Sequence, residues 1–326
     1  MNTRRFGKTN AVISEIGLGT WQLGTKWGES FNEAEARVIL QTAYENGINF
    51  IDTADVYIGG SSEKAIGEFI KDKKGQMYIT TKLGRQLNPH TAEMYTKQAV
   101  NTFTDDSLRR LGVNKIDMIL LHCPPTSVYR KDEVFTALDK LKEAGKIANY
   151  GVSIEKTIEG IQAMEYGIAA IEVIFNMFRM KPSEDLFAAA QKNDVGIIAR
   201  VPLASGLLTG KYSKDTVFGK DDHRSYNRDG AAFDKGETFS GVDYSLGLQA
   251  VEELKKLFDT EDLIPYALKW ILMHDAVSVV IPGASKASQV TSNIRATQIP
   301  DLTKQQMNQV KAIYDTYIKE SVQPQW

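Results

Sequence analysis

Eight short apolar segments recur along the chain, and each is followed by a segment with helical periodicity. They show little alternation of apolar and polar residues, which is typical of parallel strands buried on both faces of a sheet. Predicted strands and helices alternate at roughly even spacing, and this order indicates right-handed βαβ units. The predicted strands are residues 16–19, 48–51, 77–81, 117–121, 147–152, 170–175, 196–199 and 277–281.

Eight such units predict an α/β fold, a (β/α)8 TIM barrel, which needs at least ~200 residues. The chain has 326 residues, and no Ser-, Gly- or Pro-rich linker divides it. We therefore expect one barrel domain over residues 1–326 rather than two domains of ordinary size. Three parts lie outside the repeated units: an N-terminal β-hairpin in residues 3–13, a long loop after strand 7 in residues 209–247, and an extra C-terminal helix in residues 301–319.

The overall charge and the cysteine count exclude several classes of function. The formal net charge is −2, so the chain lacks the excess of positive charge that is typical of a nucleic-acid-binding protein. Cys123 is the single cysteine, which excludes a disulfide framework and a multi-cysteine metal site. His90, His223 and His274 share no ligand spacing, so we expect no metal. No apolar run approaches the ~20 residues that span a bilayer, and we expect no membrane segment and a cytoplasmic location.

Titratable residues follow three consecutive predicted strands. Asp52, Lys82 and His122 each stand directly after or at the end of an apolar segment. The C-terminal ends of barrel strands converge on one mouth, where barrel enzymes keep their active sites. Tyr57 lies five residues beyond Asp52, in the loop over the same mouth. One polar strand end is commonly structural, but three in register predict a catalytic site.

The chemistry of these four residues is coherent. A phenol with a pKa near ~10 is a poor acid at neutral pH, and a lysine cation within ~4–6 Å lowers that pKa. A carboxylate paired with the lysine keeps it charged, and a histidine orients the substrate oxygen or relays a proton. Tyr57 in this setting is suited to protonate an oxyanion, as in the reduction of a carbonyl group.

The segment 48–57, with Ser61, Ser62, Glu63 and Gly67 after it, resembles the first signature of the aldo-keto reductase superfamily. Further matches follow in family order over nearly the whole chain, at residues 17–21, 81–82, 117–122, 145–147, 151–153, 205–212 and 281–286. The resemblance is to the bacterial-type NADPH-dependent members. It implies a (β/α)8 barrel that reduces aldehydes and ketones with NADPH. It also implies a catalytic tetrad of Asp52, Tyr57, Lys82 and His122, with Trp21, Tyr57 and His122 facing the substrate.

The same resemblance implies where NADPH or NADP⁺ would bind. Residues 282–286 lead into a helix, whose N-terminal N–H groups favour anions. Ser285 and Lys286 would hold the 2′-phosphate, with Gln289 and Asn293 near the adenine. The full predicted cofactor set is Gly19, Thr20, Trp21, Ser153, Glu172, Arg200, Val201, Pro202, Leu203, Ser205, Gly206, Leu207, Lys211, Gly283, Ser285, Lys286, Gln289 and Asn293.

Three cofactor positions depart from the family pattern. Ile154 stands where an Asn commonly holds the carboxamide, and Glu172 stands where a Gln is usual. Arg200 occupies the position of the aromatic residue that commonly stacks on the nicotinamide. A guanidinium plane can stack on an aromatic face, and in that case we expect NADP⁺ to bind more weakly than NADPH. Pairing of Arg200 with Glu172 is an equally open alternative.

Three functions follow from these residues. The leading hypothesis is an NADPH-dependent carbonyl reductase acting on a small-molecule substrate, as a monomer or weak homo-oligomer. The second is a redox-sensing subunit that retains cofactor but turns over slowly, as some members of the superfamily do. The third is a barrel lyase with Lys82 as a Schiff base, which would need a neutral lysine. Sugars, short aldehydes, lipid-derived enals and diketones all remain open as substrates.

Overall fold

The computed structural model describes residues 1–73 and 75–326, and ten β-strands lie in this part of the chain. The first two form an antiparallel hairpin, and the other eight form one parallel sheet in which each strand pairs with the next along the chain. The strands are β1 (Thr3–Arg5), β2 (Val12–Ser14), β3 (Leu18–Gly19), β4 (Phe50–Asp52), β5 (Tyr78–Leu83), β6 (Ile116–His122), β7 (Ile147–Ile154), β8 (Ala170–Ile174), β9 (Gly196–Arg200) and β10 (Val277–Val280).

The parallel sheet curls until its two edge strands meet. The Gly17 amide donates a hydrogen bond to the Val280 carbonyl at 2.8 Å, and the Val280 amide donates to the Glu15 carbonyl at 3.0 Å. A further parallel bridge joins Gly19 to Gly283. The predicted α/β fold with eight parallel strands is confirmed, and the sheet has the form of a barrel.

Helices surround the sheet, and their ends follow the capping residues. Helix α3 begins after Thr96, whose hydroxyl accepts a hydrogen bond from the Ala99 amide, and it ends at Gly112, which adopts a left-handed φ of 64°. Within the described residues, no helix is both long and apolar enough to cross a membrane. The helices are α1 (Glu33–Glu45), α2 (Ser61–Ile70), α3 (Lys97–Leu111), α4 (Asp132–Glu143), α5 (Thr157–Ala163), α6 (Pro182–Asp185), α7 (Phe187–Lys192), α8 (His223–Tyr226), α9 (Tyr244–Phe258), α10 (Ile264–Leu272), α11 (Ala287–Ile294), α12 (Lys304–Tyr317) and α13 (Lys319–Val322).

The N-terminal hairpin closes the end of the barrel at which the strands begin. Phe6 and Ile13 are fully buried in a cluster with inward residues of the sheet, such as Phe50. Phe6 meets Phe50 edge-on, with ring centroids 5.6 Å apart. Gly196 leaves room for it, since a Cβ there would lie 2.3 Å from the Phe6 ring. The hairpin does not cover the opposite end of the barrel, where the strands end, and the candidate active site lies there.

The long segment after β9 is folded, with several short turns. A 3-10 stretch, Ala204–Thr209, is followed by α8 and by two more short turns, Lys235–Glu237 and Phe239–Gly241. The predicted loop ends earlier than residue 247, because Asp243 caps α9 by accepting hydrogen bonds from the Ser245 and Leu246 amides.

The predicted C-terminal helix is present as α12, which begins at Lys304 rather than at residue 301. The Thr303 hydroxyl accepts a hydrogen bond from the Gln306 amide, and the Gln306 side chain accepts one from the Thr303 amide. This capping box sets the start of the helix. Asp301 lies outside it and pairs with Lys269 at 3.3 Å.

Candidate active site

The four predicted catalytic side chains meet where the strands end. Lys82 Nζ lies 2.7 and 2.6 Å from the two carboxylate oxygens of Asp52 and 3.4 Å from Tyr57 Oη. The Tyr57 and His122 rings are edge-on, with centroids 5.9 Å apart. Lys82 is completely enclosed, while Tyr57 is half-buried. The structure therefore assembles one cation, one carboxylate, one phenol and one imidazole around a common space.

Strand register explains why these side chains share one face. Asp52 pairs with Thr80 on β5, and Lys82 is two residues further along that strand. Lys82 in turn pairs with Leu120 on β6, two residues before His122. Residues two apart on a strand point to the same side of the sheet. Asp52, Lys82 and His122 consequently all point into the barrel.

The same strand register places residues of β7, β8 and β9 on the inward side of the barrel. His122 pairs with Ser153 on β7, and Ser153 pairs with Glu172 on β8. Glu172 pairs with Ile198 on β9, and Arg200 follows two residues later. Glu172 and Arg200 therefore face the same side of the sheet as Asp52, Lys82 and His122, although they are far away in the sequence.

A second carboxylate approaches Lys82. Glu172 Oε2 lies 3.3 Å from Lys82 Nζ, and Glu172 Oε1 accepts a hydrogen bond from Ser153 Oγ at 3.2 Å. Burial raises the pKa of the Asp52 carboxyl, and the Glu172 charge adds to this effect. Burial alone would lower the pKa of the Lys82 amine, but Asp52 and Glu172 outweigh it and raise that pKa above its ordinary value. Lys82 is therefore a cation.

The charge state of Tyr57 and His122 follows from burial. Burial raises the pKa of the Tyr57 phenol, and the Lys82 cation only partly opposes the rise. The expectation that Lys82 brings this pKa below ~10 is thus not met, because desolvation is the larger effect. Burial lowers the pKa of His122 well below its usual value. The site presents a protonated phenol and a neutral imidazole at neutral pH.

Arg200 is tied into an ion-pair network. Its Nη1 donates to Glu237 Oε1 at 2.5 Å, and its Nη2 donates to the Ile154 carbonyl at 3.0 Å. Its Nε lies 3.7 Å from Glu172 Oε1. The pairing with Glu172 is therefore present, but Glu237 is the closer partner. Burial opposes ionisation of Glu237, yet Arg200 holds the pKa of that carboxyl below its usual range.

A cavity of about 480 Å³ opens above these side chains. Its walls contain many of the predicted cofactor residues together with Asp52, Tyr57 and His122. The predicted cofactor residues that line it are Gly19, Thr20, Trp21, Glu172, Arg200, Val201, Pro202, Leu203, Ser205, Gly206, Gly283 and Gln289.

The remaining predicted cofactor residues lie off this cavity. Ser153 is buried behind Glu172, Leu207 is in the hydrophobic core, Asn293 is buried within α11, and Lys211 is exposed. Ser285 and Lys286 line a second depression of about 1090 Å³ with residues of the loop after β3.

The residues present fit a nicotinamide dinucleotide. Gln289 lines the cavity, while Ser285 and Lys286, on the neighbouring turn, line the outer depression, so the two spaces adjoin. Lys286 offers a cation for a phosphate there. The Gln289 side chain caps α11 by accepting a hydrogen bond from the Ser285 amide at 2.7 Å. Among the described residues, Glu172 Oε2 and His122 Nδ1 are buried without a hydrogen-bond partner, as expected of a site shaped for a ligand.

An aromatic wall faces Tyr57 across the cavity. Trp21 stacks on Tyr57 with ring centroids 6.4 Å apart, and Trp27, His223 and Phe233 surround Trp21 at 5.0 to 6.0 Å. Burial lowers the pKa of His223 to about 4, so this ring is neutral. His223, Phe233 and Glu237 come from the long segment after β9. Their position could not be predicted from the residues, because that segment lacks periodicity.

The charge on Lys82 decides against one of the three functions considered from the sequence. A Schiff base requires a neutral, desolvated lysine, whereas Lys82 is held as a cation by Asp52 and Glu172, so the site does not support a barrel lyase. In residues 1–73 and 75–326, no group of three or more His, Cys, Asp or Glu side chains is arranged to hold a metal ion.

Comparison with known proteins agrees with this architecture. The model of the Aldo/keto reductase family matches residues 15–315. An uncharacterized oxidoreductase, YqkF of Bacillus subtilis, is 30% identical over 317 residues, which cover 96% of each chain. A putative voltage-gated potassium channel subunit beta of Schizosaccharomyces pombe is 29% identical over 91% of this chain and 88% of its own.

Among solved structures, the glycerol dehydrogenase AKR11B4 of Gluconobacter oxydans is 28% identical. It superimposes with a TM-score of 0.78 over 97% of this chain and 96% of its own. The family match spans most of the chain and includes every strand of the parallel sheet. The chain belongs to the aldo/keto reductase family.

Proposed function

We propose that this protein reduces an aldehyde or ketone to an alcohol with NADPH, and that Tyr57 donates the proton. The observation that carries the proposal is the position of Lys82 Nζ, held by both oxygens of Asp52 and 3.4 Å from Tyr57 Oη. NADPH, when bound, supplies the hydride. The cavity next to Tyr57 has room for a small carbonyl compound beside a nicotinamide ring.

Each of these side chains has a separate role around the carbonyl oxygen. Tyr57 Oη donates a hydrogen bond to that oxygen and transfers its proton as the alcohol forms. Lys82 stabilises the phenolate that remains, and Asp52 keeps Lys82 charged and in place. The neutral His122 ring, edge-on to Tyr57, orients the carbonyl group. Trp21 and its aromatic neighbours exclude water from the reacting atoms.

The cofactor assignment rests on the lining of the two adjoining spaces. The residues we propose around the nicotinamide are Glu172, Arg200 and Trp21, which line the cavity beside Tyr57. Leu203, Ser205 and Gly206 line the same cavity further out and are proposed for the pyrophosphate. Lys286 and Ser285 in the outer depression are proposed for the 2′-phosphate.

A screen of NADPH oxidation tests this function. Wild-type protein is assayed by absorbance with sugars, short aldehydes, lipid-derived enals and diketones. Tyr57→Phe should lose at least about 100-fold in turnover while NADPH binding, followed by fluorescence, persists. Tyr78→Phe is the matched control, since it removes a phenolic hydroxyl near Asp117, where β6 begins. Near-normal turnover of Tyr57→Phe, or no NADPH-dependent reduction by the wild type, would overturn the assignment.

A redox-sensing subunit is the second candidate. A relative named as a potassium channel subunit beta is nearly as similar to this chain as the named oxidoreductase. This candidate predicts that NADPH binds tightly, that all carbonyl classes turn over slowly, and that a partner protein co-purifies. Steady-state rates together with purification from native cells separate the two functions. The cytoplasmic location and the monomeric or weakly oligomeric state stay predictions.

A further inference from the structure

The floor of the cavity contains one more anion than cation. We define the floor cluster as Asp52, Lys82, Glu172, Arg200 and Glu237. It has three carboxylates and two cations, joined by the ion pairs described above. The other charged side chains nearby balance one another: Arg85 pairs with Glu155 at 3.1 Å, Arg224 pairs with Asp222 at 2.5 Å, and the buried Arg179 interacts most strongly with the Asp234 charge. Burial favours a proton on Asp52, but the Lys82 cation contacts both of its oxygens and lowers its pKa in opposition. With all these groups ionised, the floor cluster carries one surplus negative charge.

Glu172 is the carboxylate whose two neighbouring cations, Lys82 and Arg200, are each bound more closely by another carboxylate. Both Asp52 oxygens bind Lys82, and Glu237 binds Arg200. Glu172 Oε2, 3.3 Å from Lys82 Nζ, makes no hydrogen bond to any described residue. Glu172 is only 2% exposed, so water screens its charge poorly. A buried charge that shares its cations with closer carboxylates is only partly compensated and is therefore costly, and a cation arriving in the cavity would relieve that cost.

We propose that Glu172 is the counter-charge for an oxidised nicotinamide ring, so that this protein binds NADP⁺ more tightly than NADPH. The inference rests on the proposed function, which brings the ring beside Tyr57. A hydride donor must lie about 3–3.5 Å from the carbonyl carbon whose oxygen Tyr57 protonates. Tyr57 and Glu172 both approach Lys82 Nζ, at 3.4 and 3.3 Å. The ring is therefore within roughly 10 Å of Glu172, a distance over which a buried charge is felt.

The charges in the reaction agree with this role. In reduction, NADPH would supply a hydride to the carbonyl carbon and Tyr57 would supply the proton to its oxygen, and the NADP⁺ left as product would carry a cationic ring. Glu172 attracts that cation but has no such attraction for the neutral reduced ring. The sequence-based expectation, weaker binding of NADP⁺, was the opposite, and it applied to an Arg200 stacked on the ring rather than to an Arg200 in an ion pair. The structure pairs Arg200 with Glu237, which cancels its charge.

The test is the ratio of two dissociation constants, that of NADPH divided by that of NADP⁺. Both are measured by titration, NADPH by its own fluorescence and NADP⁺ by competition. In the wild type this ratio should exceed one. In Glu172→Gln, which keeps the shape and removes the charge, it should fall about tenfold, as expected for one charge at this distance in a poorly solvated site.

A series of charge variants separates this effect from structural damage. Glu237→Gln should lower the ratio, Arg200→Gln should raise it, and Asp117→Asn, at the other end of β6, should leave it unchanged. Shifts in one direction for all variants, or an unchanged ratio in Glu172→Gln, would overturn the inference. The series stays decisive even if one variant fails to fold.

The outcomes also distinguish this inference from the proposed function. A wild type that reduces carbonyls and binds both cofactor forms, with a ratio insensitive to Glu172, would overturn the inference alone. A wild type that binds neither form would overturn both.

Discussion

At the scale of single residues, Asp52 and Asp55 show that environment rather than residue type decides what a carboxylate does. Asp52 binds the Lys82 cation. Asp55, three residues later and also buried, makes no side-chain hydrogen bond of normal geometry to the described residues. Burial, with a contribution from the Glu63 charge, raises the pKa of the Asp55 carboxyl to about 7, although Arg110 opposes this. Asp55 should therefore matter for stability rather than for catalysis.

Asp55→Asn should stabilise the protein at pH 8 and change it little at pH 4. The folded state holds the Asp55 proton more tightly than the unfolded state, where the pKa is near ~3.9. The resulting stability is complete below pH ~4 and is lost as the pH rises through about 7. The amide mimics the protonated acid, so the gain at pH 8 should be on the order of 2–4 kcal/mol. Chemical denaturation at both pH values measures it.

Asp215→Asn is the control for this prediction. It removes the same charge from an exposed position in the segment after β9 and should keep the wild-type pH dependence. If Asp55→Asn followed the wild-type curve from pH 4 to pH 8, Asp55 would not be the group that titrates.

At the scale of elements, the C-terminal tail holds the segment after β9 in place. The Trp326 indole N–H lies 3.2 Å from both carboxylate oxygens of Asp234, and its ring lies 4.0 Å from the Arg179 guanidinium. The ring also fills the space beside Gly241, where a Cβ would overlap it. Asp234 caps the turn that carries Glu237, the partner of Arg200. A continuous series of contacts therefore connects Trp326, through Asp234 and Glu237, to Arg200 in the cavity.

Trp326→Ala should destabilise the protein by roughly 2–3 kcal/mol, since a buried aromatic side chain and its hydrogen bond are removed. It should also weaken NADPH binding several-fold, because Glu237 and the aromatic residues of the same segment are less firmly placed. Hydrogen exchange should speed up in residues 234–241 in particular. Gln325→Ala, an exposed neighbour, is the matched control. Unchanged exchange in residues 234–241 would show that the tail does not hold the segment.

At the scale of the whole molecule, the additions at both ends of the chain are packed against the barrel. The hairpin places Phe6 and Ile13 in the buried cluster inside the sheet. At the other end, Val310 and Tyr314 of α12 belong to the main hydrophobic core. We therefore expect the hairpin, barrel and tail to unfold together, as predicted for one domain.

Thermal unfolding followed by circular dichroism and by tryptophan fluorescence should show a single coincident transition. NADPH at 100 times its dissociation constant should raise the midpoint by about 5 °C, since binding adds ~2.7 kcal/mol to the folded state. Two separate transitions, or a shift confined to one probe, would contradict a single domain.

The fold class could be predicted from the residues alone, because eight uninterrupted apolar segments have few other ways to be buried than a parallel sheet. It also placed Asp52, Lys82 and His122 at strand ends, since that position can be read directly from where each apolar run stops. Helix ends were predictable to within a few residues where a cap such as Thr96 or Gly112 marks them.

The charge of the site, by contrast, depends on contacts that form only in the folded chain. Strand register across β5 to β8 brings Glu172 to Lys82, and no local pattern encodes a contact between residues ninety positions apart. The pairing of Arg200 with Glu237 could not be predicted from the sequence either, because Glu237 lies in a segment without periodicity. That segment becomes ordered only by packing against the barrel and Trp326. Desolvation also depends on the whole fold, which is why the pKa of Tyr57 is raised although the sequence around Lys82 suggested that it would fall.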